Sequence, residues 1–151
     1  MQIIHNFPLM AALISMIAAQ VIKVPLNLIW SKNWDVARAF STGGMPSSHS
    51  AAVTSLTAAI GISEGLDSST FAVAAVLSAI TMYDAAGVRR HAGLHASFLN
   101  RLVRSTPSLL KDHGSTGTEL KELLGHRPIE VLAGAFFGIA ASIVIYFTLY
   151  A

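Results

Sequence analysis

Residues 131–151 (VLAGAFFGIAASIVIYFTLYA) form a run of 21 without one charged side chain. Roughly 20 residues at 1.5 Å rise cross a hydrocarbon core of about 30 Å, so this run has the length and polarity of a membrane-spanning helix. Three more apolar blocks precede it, at 7–30, 50–62 and 70–86, and the charged residues gather between them. The first block can span if Lys23 reaches the interface along its own alkyl stem. The second is short, about 13 residues, which fits a helix that is tilted, partly re-entrant or buried among the others. Composition agrees: 53% of the 151 residues are hydrophobic and 12% are charged, with a mean hydropathy of +0.58, unlike an ordinary soluble domain. The expected fold is therefore all-α, a polytopic membrane bundle of about four transmembrane helices plus a short interfacial amphipathic helix, in a single domain over 1–151.

No basic segment precedes Phe7, and no small-residue cleavage site follows the first block promptly, so that block reads as a retained helix instead of a secretory signal. The absence of cysteine excludes disulfides, thiol nucleophiles and thiolate metal ligands. If each block is a span, all ten Lys and Arg residues fall on one side: Lys23, Lys32 and Arg38 after the first helix, then Arg89, Arg90, Arg101, Arg104, Lys111, Lys121 and Arg127 between the third and fourth. The positive-inside rule places that face in the cytoplasm and both termini outside, in a multi-pass protein of the cell membrane. Cations recruited to bind a phosphate would give the same asymmetry. Between the third and fourth blocks, residues 92–105 (AGLHASFLNRLVRS) have apolar residues at helical spacing, with Arg101 and Arg104 on another face, the pattern of an interfacial helix. A short helix is also expected at TELKELL, residues 118–124.

Chemistry concentrates in two stretches. In Gly43-Gly44-Met45-Pro46-Ser47-Ser48-His49-Ser50 the glycines and proline shape a tight turn, and Ser47 or Ser48 can cap the following helix. A helix N-terminus with free N–H groups attracts anions, and His49 adds a proton donor beside it. In Gly125-His126-Arg127-Pro128-Ile129-Glu130 a histidine precedes a helix start that carries Glu130 in its first turn. A carboxylate bonded to one imidazole nitrogen fixes the tautomer and leaves the other nitrogen as a base or nucleophile. Each stretch taken alone also describes an ordinary turn and helix cap.

Together the two stretches resemble a known group. Pro46-Ser47-Ser48-His49 is similar to the Pro-Ser-Gly-His motif of the type-2 phosphatidic acid phosphatase and vanadium haloperoxidase superfamily. His126 to Glu130, with the Val131-Leu132-Ala133-Gly134 run, resembles its His-x-x-x-Asp motif. Tyr83-Asp84-Ala85-Ala86-Gly87-Val88-Arg89-Arg90 and Leu120-Lys121-Glu122-Leu123-Leu124 resemble the small divergent bacterial and plant branch, and the resemblance covers most of residues 14–146. It implies His126 as a nucleophile that forms a phosphohistidine, Glu130 as its orienting carboxylate, and His49 as the acid for the leaving alcohol. Ser47 and Ser48 would hold phosphate oxygens through a hydroxyl and a backbone N–H, with no metal or other cofactor.

The chain departs from the superfamily pattern at three places. Its Lys-x6-Arg-Pro motif has no faithful copy, since only five residues separate Lys32 from Arg38 and Ala39 replaces the proline, with Lys23 as a rival lysine. The arginine usual six residues before the nucleophile falls at Leu120. Glu130 replaces an aspartate and is one methylene longer. Several positive donors are needed around a phosphoryl transition state, so Arg89 and Arg90 are expected to supply the missing charge, although headgroup anchoring would also explain them.

His91 and His95, four residues apart, have a helical ligand spacing, with Asp112 and His113 downstream, but no paired cluster accompanies them, and no metal site is expected. Asp84 is expected to pair with Arg89 or Arg90. Two functions follow as expectations. One is a metal-independent membrane phosphatase acting on a lipid phosphate monoester or pyrophosphate, of phosphatidic acid or polyprenyl phosphate type. The other is a catalytically silent protein that binds anionic lipid or serves assembly through the same cradle. No nucleic-acid partner is expected, and a chain this small is compatible with homo-oligomers.

Overall fold

The computed structural model describes residues 3–31, 44–105, 120, 122 and 125–151. After a short 3-10 turn at Ile3–His5 come α1 (Phe7–Ser31), α2 (Ser48–Glu64), α3 (Ser69–Ala86), α4 (Val88–Ser105) and α5 (Pro128–Ile145), which ends in a π-helical turn at Tyr146–Tyr150. Among the described residues there is no strand. The chain is an all-helical bundle of the membrane type. Three stretches are long and apolar enough to cross a bilayer: Phe7–Leu26, Ser69–Ser105 and Pro128–Tyr150. The middle one would be about 55 Å long as a straight helix, well beyond one hydrocarbon core. It breaks at Gly87, and α4 brings Arg89, Arg90, Arg101 and Arg104, so the spanning part is α3.

The second apolar block, α2, has 17 residues and is not one of these three stretches. It packs against α1, α3 and α5, and its hydroxyls reach each of these neighbours. Ser15 Oγ donates to Ser55 Oγ (2.8 Å) from α1. Thr54 Oγ1 donates to its own helix at Ser50 O (2.8 Å) and across to Ala135 O (3.1 Å) on α5. On the α3 side, Thr57 and Ser78 share a hydroxyl contact of 2.8 Å, and Ser78 donates to Val53 O. In hydrocarbon such cross-helix bonds contribute on the order of 0.6 kcal/mol each, with van der Waals contact between small residues supplying much of the rest. Of the readings open for this short block, burial among the other helices is the one observed.

The polarity of the bundle is inverted relative to a soluble protein. On α1 the buried line is Ala11, Ser15, Ala19 and Lys23, one residue every four, while Leu13, Ile17 and Val21 face outward. On α5 the buried line is Val131, Gly134, Gly138, Ser142 and Ile145, while Leu132, Phe136 and Val144 are exposed. Small residues inside let backbones meet, and large apolar residues outside suit lipid. The closest approach is between α5 and α2: a Cβ on Gly138 would strike the Ala51 carbonyl, and one on Gly134 would strike the Ser47 carbonyl.

The up-and-down path brings the α2 and α5 N-termini and the α3 C-terminus to one end of the bundle. At the other end Phe7 stacks between Tyr146 and Tyr150 (centroids 5.4 and 5.0 Å), and Tyr150 OH donates to Ile4 O (2.9 Å). The amphipathic helix expected over 92–105 begins earlier, at Val88, and is not short. The helix expected at TELKELL lies largely outside the described residues, and its two described members, Leu120 and Glu122, are non-helical.

Gly138→Val should lower unfolding stability in detergent by about 1–3 kcal/mol through overpacking against fixed backbone. The lipid-facing neighbour change Ile139→Val should stay within about 0.5 kcal/mol. Thermal denaturation of both variants checks this pair, and equal midpoints would refute the close α2–α5 seam.

Candidate active site

The site is built where α5 begins. Gly125, at φ +81, lies so close to the α3–α4 junction that any Cβ there would overlap the backbone of Arg89 and Arg90. His126 follows and donates its backbone N–H to Ala85 O (3.0 Å) at the end of α3. Pro128 then opens α5 at a position where a missing N–H costs nothing. Ser47, immediately before α2, donates its N–H to Glu130 O (3.0 Å), so the two helix starts are fastened to each other.

Glu130 serves two groups with one oxygen. Its Oε2 accepts from Arg127 N–H (3.2 Å) and lies 3.0 Å from His126 Nδ1. The first bond is the reach-back of a capping box, for which glutamate is the right length. The second fixes the imidazole, which is 4% exposed, with Nδ1–H toward the carboxylate and Nε2 free. From the first turn of α5 the longer glutamate side chain reaches both groups.

His126 lines a cleft of about 70 Å³ with His49, Thr81, Asp84, Ala85, Arg89 and Gly125. That volume is small, roughly two waters at about 30 Å³ each. His49 is the exposed residue in the otherwise buried first turn of α2, and its electrostatic neighbours are His126, Arg89 and Lys23. Arg89 Nε donates to Asp84 Oδ2 at 2.5 Å, a pair at the cleft edge with the arginine side chain 62% exposed. Lys23 is buried, donates to Gln20 Oε1 (2.9 Å), passes beside Gly44, and feels the charge of Glu130. The N-termini of α2 and α5 add positive dipole ends at the same end of the bundle.

Other candidates sit elsewhere. Ser47 and Ser48 are buried and do not line the cleft, and the Ser47 hydroxyl caps α2 by accepting from Ser50 N (3.3 Å). Arg90 is exposed on α4 outside the cleft lining. Arg38, Lys32, Asp112 and His113 lie outside the described residues. His91 and His95 are exposed on α4, and among the described residues no three His, Cys, Asp or Glu side chains gather as metal ligands would. Thr81 lay in no motif, and Ala85 and Gly125 stood inside the quoted stretches without a role of their own. Only the chain crossing between α3 and α5 makes them part of the lining.

The model of the divergent PAP2 family matches residues 4–141. The chain belongs to the divergent PAP2 family. A relative described as the uncharacterized membrane protein YuiD of Bacillus subtilis (strain 168) is 48% identical over 153 residues, spanning 96% of this chain and 97% of its own length. No solved structure matches. The match to the divergent PAP2 family over residues 4–141 takes in both stretches, Pro46 to His49 and His126 to Glu130, and the α3–α4 junction that carries Arg89.

Glu130→Ala should leave His126 without its Nδ1 acceptor and convert a single Nδ1–H tautomer into a mixture, with about 1 kcal/mol lost from the helix start. Histidine-selective 15N spectra in detergent read this directly. An unchanged ring signal would show that Glu130 does not set the tautomer.

Proposed function

We propose that this chain is a phosphohydrolase of the cell membrane, cleaving a lipid phosphate monoester or pyrophosphate by way of a phosphohistidine. The observation that carries the reading is the convergence of His49 and His126, 77 residues apart in sequence, on one small cleft that Arg89 also lines. His126 Nε2 attacks phosphorus, and the phosphorus bond to the leaving oxygen breaks. His49 donates the proton that turns that oxygen into an alcohol, or into a lipid phosphate when the substrate is a pyrophosphate. Water then attacks the phosphohistidine with His49 as base, releasing inorganic phosphate and restoring both imidazoles.

Glu130 keeps His126 in the reactive tautomer and stabilises positive charge on the ring during transfer. Arg89, with Nε committed to Asp84, keeps both Nη nitrogens for phosphoryl oxygens, and Lys23 and two helix N-termini add field. The exposed apolar faces support a position of this polar end at the headgroup layer, where a phosphatidic acid or polyprenyl phosphate presents its phosphate. The Ser47 hydroxyl, occupied as a helix cap, and the Asp84 carboxylate in the cleft favour a second reading, anionic-lipid binding without turnover.

Purified protein in mixed micelles should release phosphate from one of these lipids. His126→Ala should abolish release. His49→Ala should lower kcat by about 10²–10⁴-fold, and vanadate should inhibit. Wild-type turnover in His126→Ala rejects the nucleophile. Vanadate binding with no turnover in wild type supports the silent lipid binder.

A further inference from the structure

Asn100 lies on the buried edge of α4 with Gly93 and Ala96, and it uses every polar atom of its side chain. Oδ1 accepts Leu120 N–H (3.0 Å), while Nδ2 donates to Leu120 O (2.8 Å) and to Glu122 Oε1 (2.8 Å). One primary amide thus pairs with both backbone groups of Leu120 as an adjacent strand would. Farther along the chain Gly125 packs on the backbone of Arg89 and Arg90, about 15 Å back along α4. His126 then bonds Ala85 O. The approach to His126 is therefore pinned at three places on the α3–α4 arm, and Asn100 is the outermost pin.

We infer that Asn100 is a positioning residue for His126: by gripping Leu120 and Glu122 it fixes the register in which the chain arrives at Gly125 and the imidazole. Leu120 occupies the position at which the resembled superfamily carries an arginine. Here its main chain is held, while its side chain is half exposed. Glu122 adds a charged acceptor. Hydrogen bonds from Asn100 and then Ser97 hold its carboxyl below the ordinary glutamate range, with Arg104 and Arg101 contributing. A lowered carboxyl supports the folded arrangement above the ordinary glutamate range, and that support fades as pH falls through the lowered value.

The arrangement itself is tested on the full chain in detergent by hydrogen–deuterium exchange, and its consequence by kinetics, the latter resting on the hydrolase reading. Asn100→Ala should speed exchange at both Leu120 and His126 amides by about tenfold, with the α2 and α5 interiors unchanged. Asn100→Asp keeps size and acceptor but sets a carboxylate against Leu120 O and Glu122. It should loosen the same amides at neutral pH and regain protection relative to wild type on acidification, when it can donate again. In turnover assays Asn100→Ala should lower kcat by about tenfold or more with KM within about twofold. Faster exchange at Leu120 with His126 unchanged overturns the inference, as does unchanged exchange at both. If wild type shows no turnover, the hydrolase reading falls while the exchange arm still decides the role of Asn100.

Discussion

The seam between α2 and α5 is the constraint from which the rest of the molecule follows. Gly134 and Gly138 remove the side chains that would hold the helices apart, and the Ser47 N–H closes the polar end of the seam on Glu130 O. With the helix starts fastened, the first turn of α2, which carries His49, and the residue before α5, which is His126, have no freedom to separate. The cleft is therefore a product of packing 10–15 Å deeper in the bundle as much as of the residues that line it. A bilayer sharpens this dependence, because lipid does not reward burial of apolar side chains. Small-residue contact and satisfied hydroxyls must then hold the helices together.

The same logic explains why a helix as polar as α2 can sit at membrane depth. Ser55, Thr54, Thr57 and Ser78 each find a partner in a neighbouring helix or in their own preceding turn. The turn-back bonds keep the hydroxyls satisfied where a cross-helix partner is missing. Two fully enclosed hydroxyls, Ser50 Oγ and Ser142 Oγ, have no protein partner, and both lie on the small-residue lines where close backbone contact takes precedence over polar pairing.

Hydropathy is one-dimensional, and the helices that face lipid were legible for that reason: the blocks at 7–30, 70–86 and 131–151 correspond to α1, α3 and α5 to within a few residues. The block at 50–62 announced a helix and left its role open, since a run of Ala, Ser and Thr reads alike whether tilted in lipid or enclosed by protein. Only its neighbours decide. In the site, the pairing of His126 with Glu130 was legible because both partners lie in one helical turn, and the Asp84 to Arg89 pair because they lie five residues apart. Ser47 and Ser48 are serines at a helix start whose hydroxyls could cap or could bind, and sequence cannot separate these uses. Asn100 left no motif. Its meaning depends on Leu120 and Glu122, twenty and twenty-two residues on, which meet it only in the folded chain.

Charge in the cleft nearly cancels among the described residues. Arg89 is matched by Asp84, and the field of Lys23 is met by Glu130. What remains for an entering anion is the pair of helix N-termini, each equivalent to roughly half an elementary charge, and whatever proton His49 carries. Such a site binds a free phosphate dianion weakly, because an arginine already paired must share its charge, and an exposed pair contributes about 0–1 kcal/mol. A phosphate tethered to a lipid does not need strong capture. Confinement to the bilayer raises its effective concentration at the headgroup layer, and this does for encounter what additional arginines would do in solution. On the proposed hydrolase reading, weak affinity for free phosphate would also favour release of the product anion to water. The loss of the superfamily arginine at Leu120 is then consistent with a site that relies on the membrane for delivery and reserves its few fixed dipoles for the charge that develops as the phosphoryl group moves.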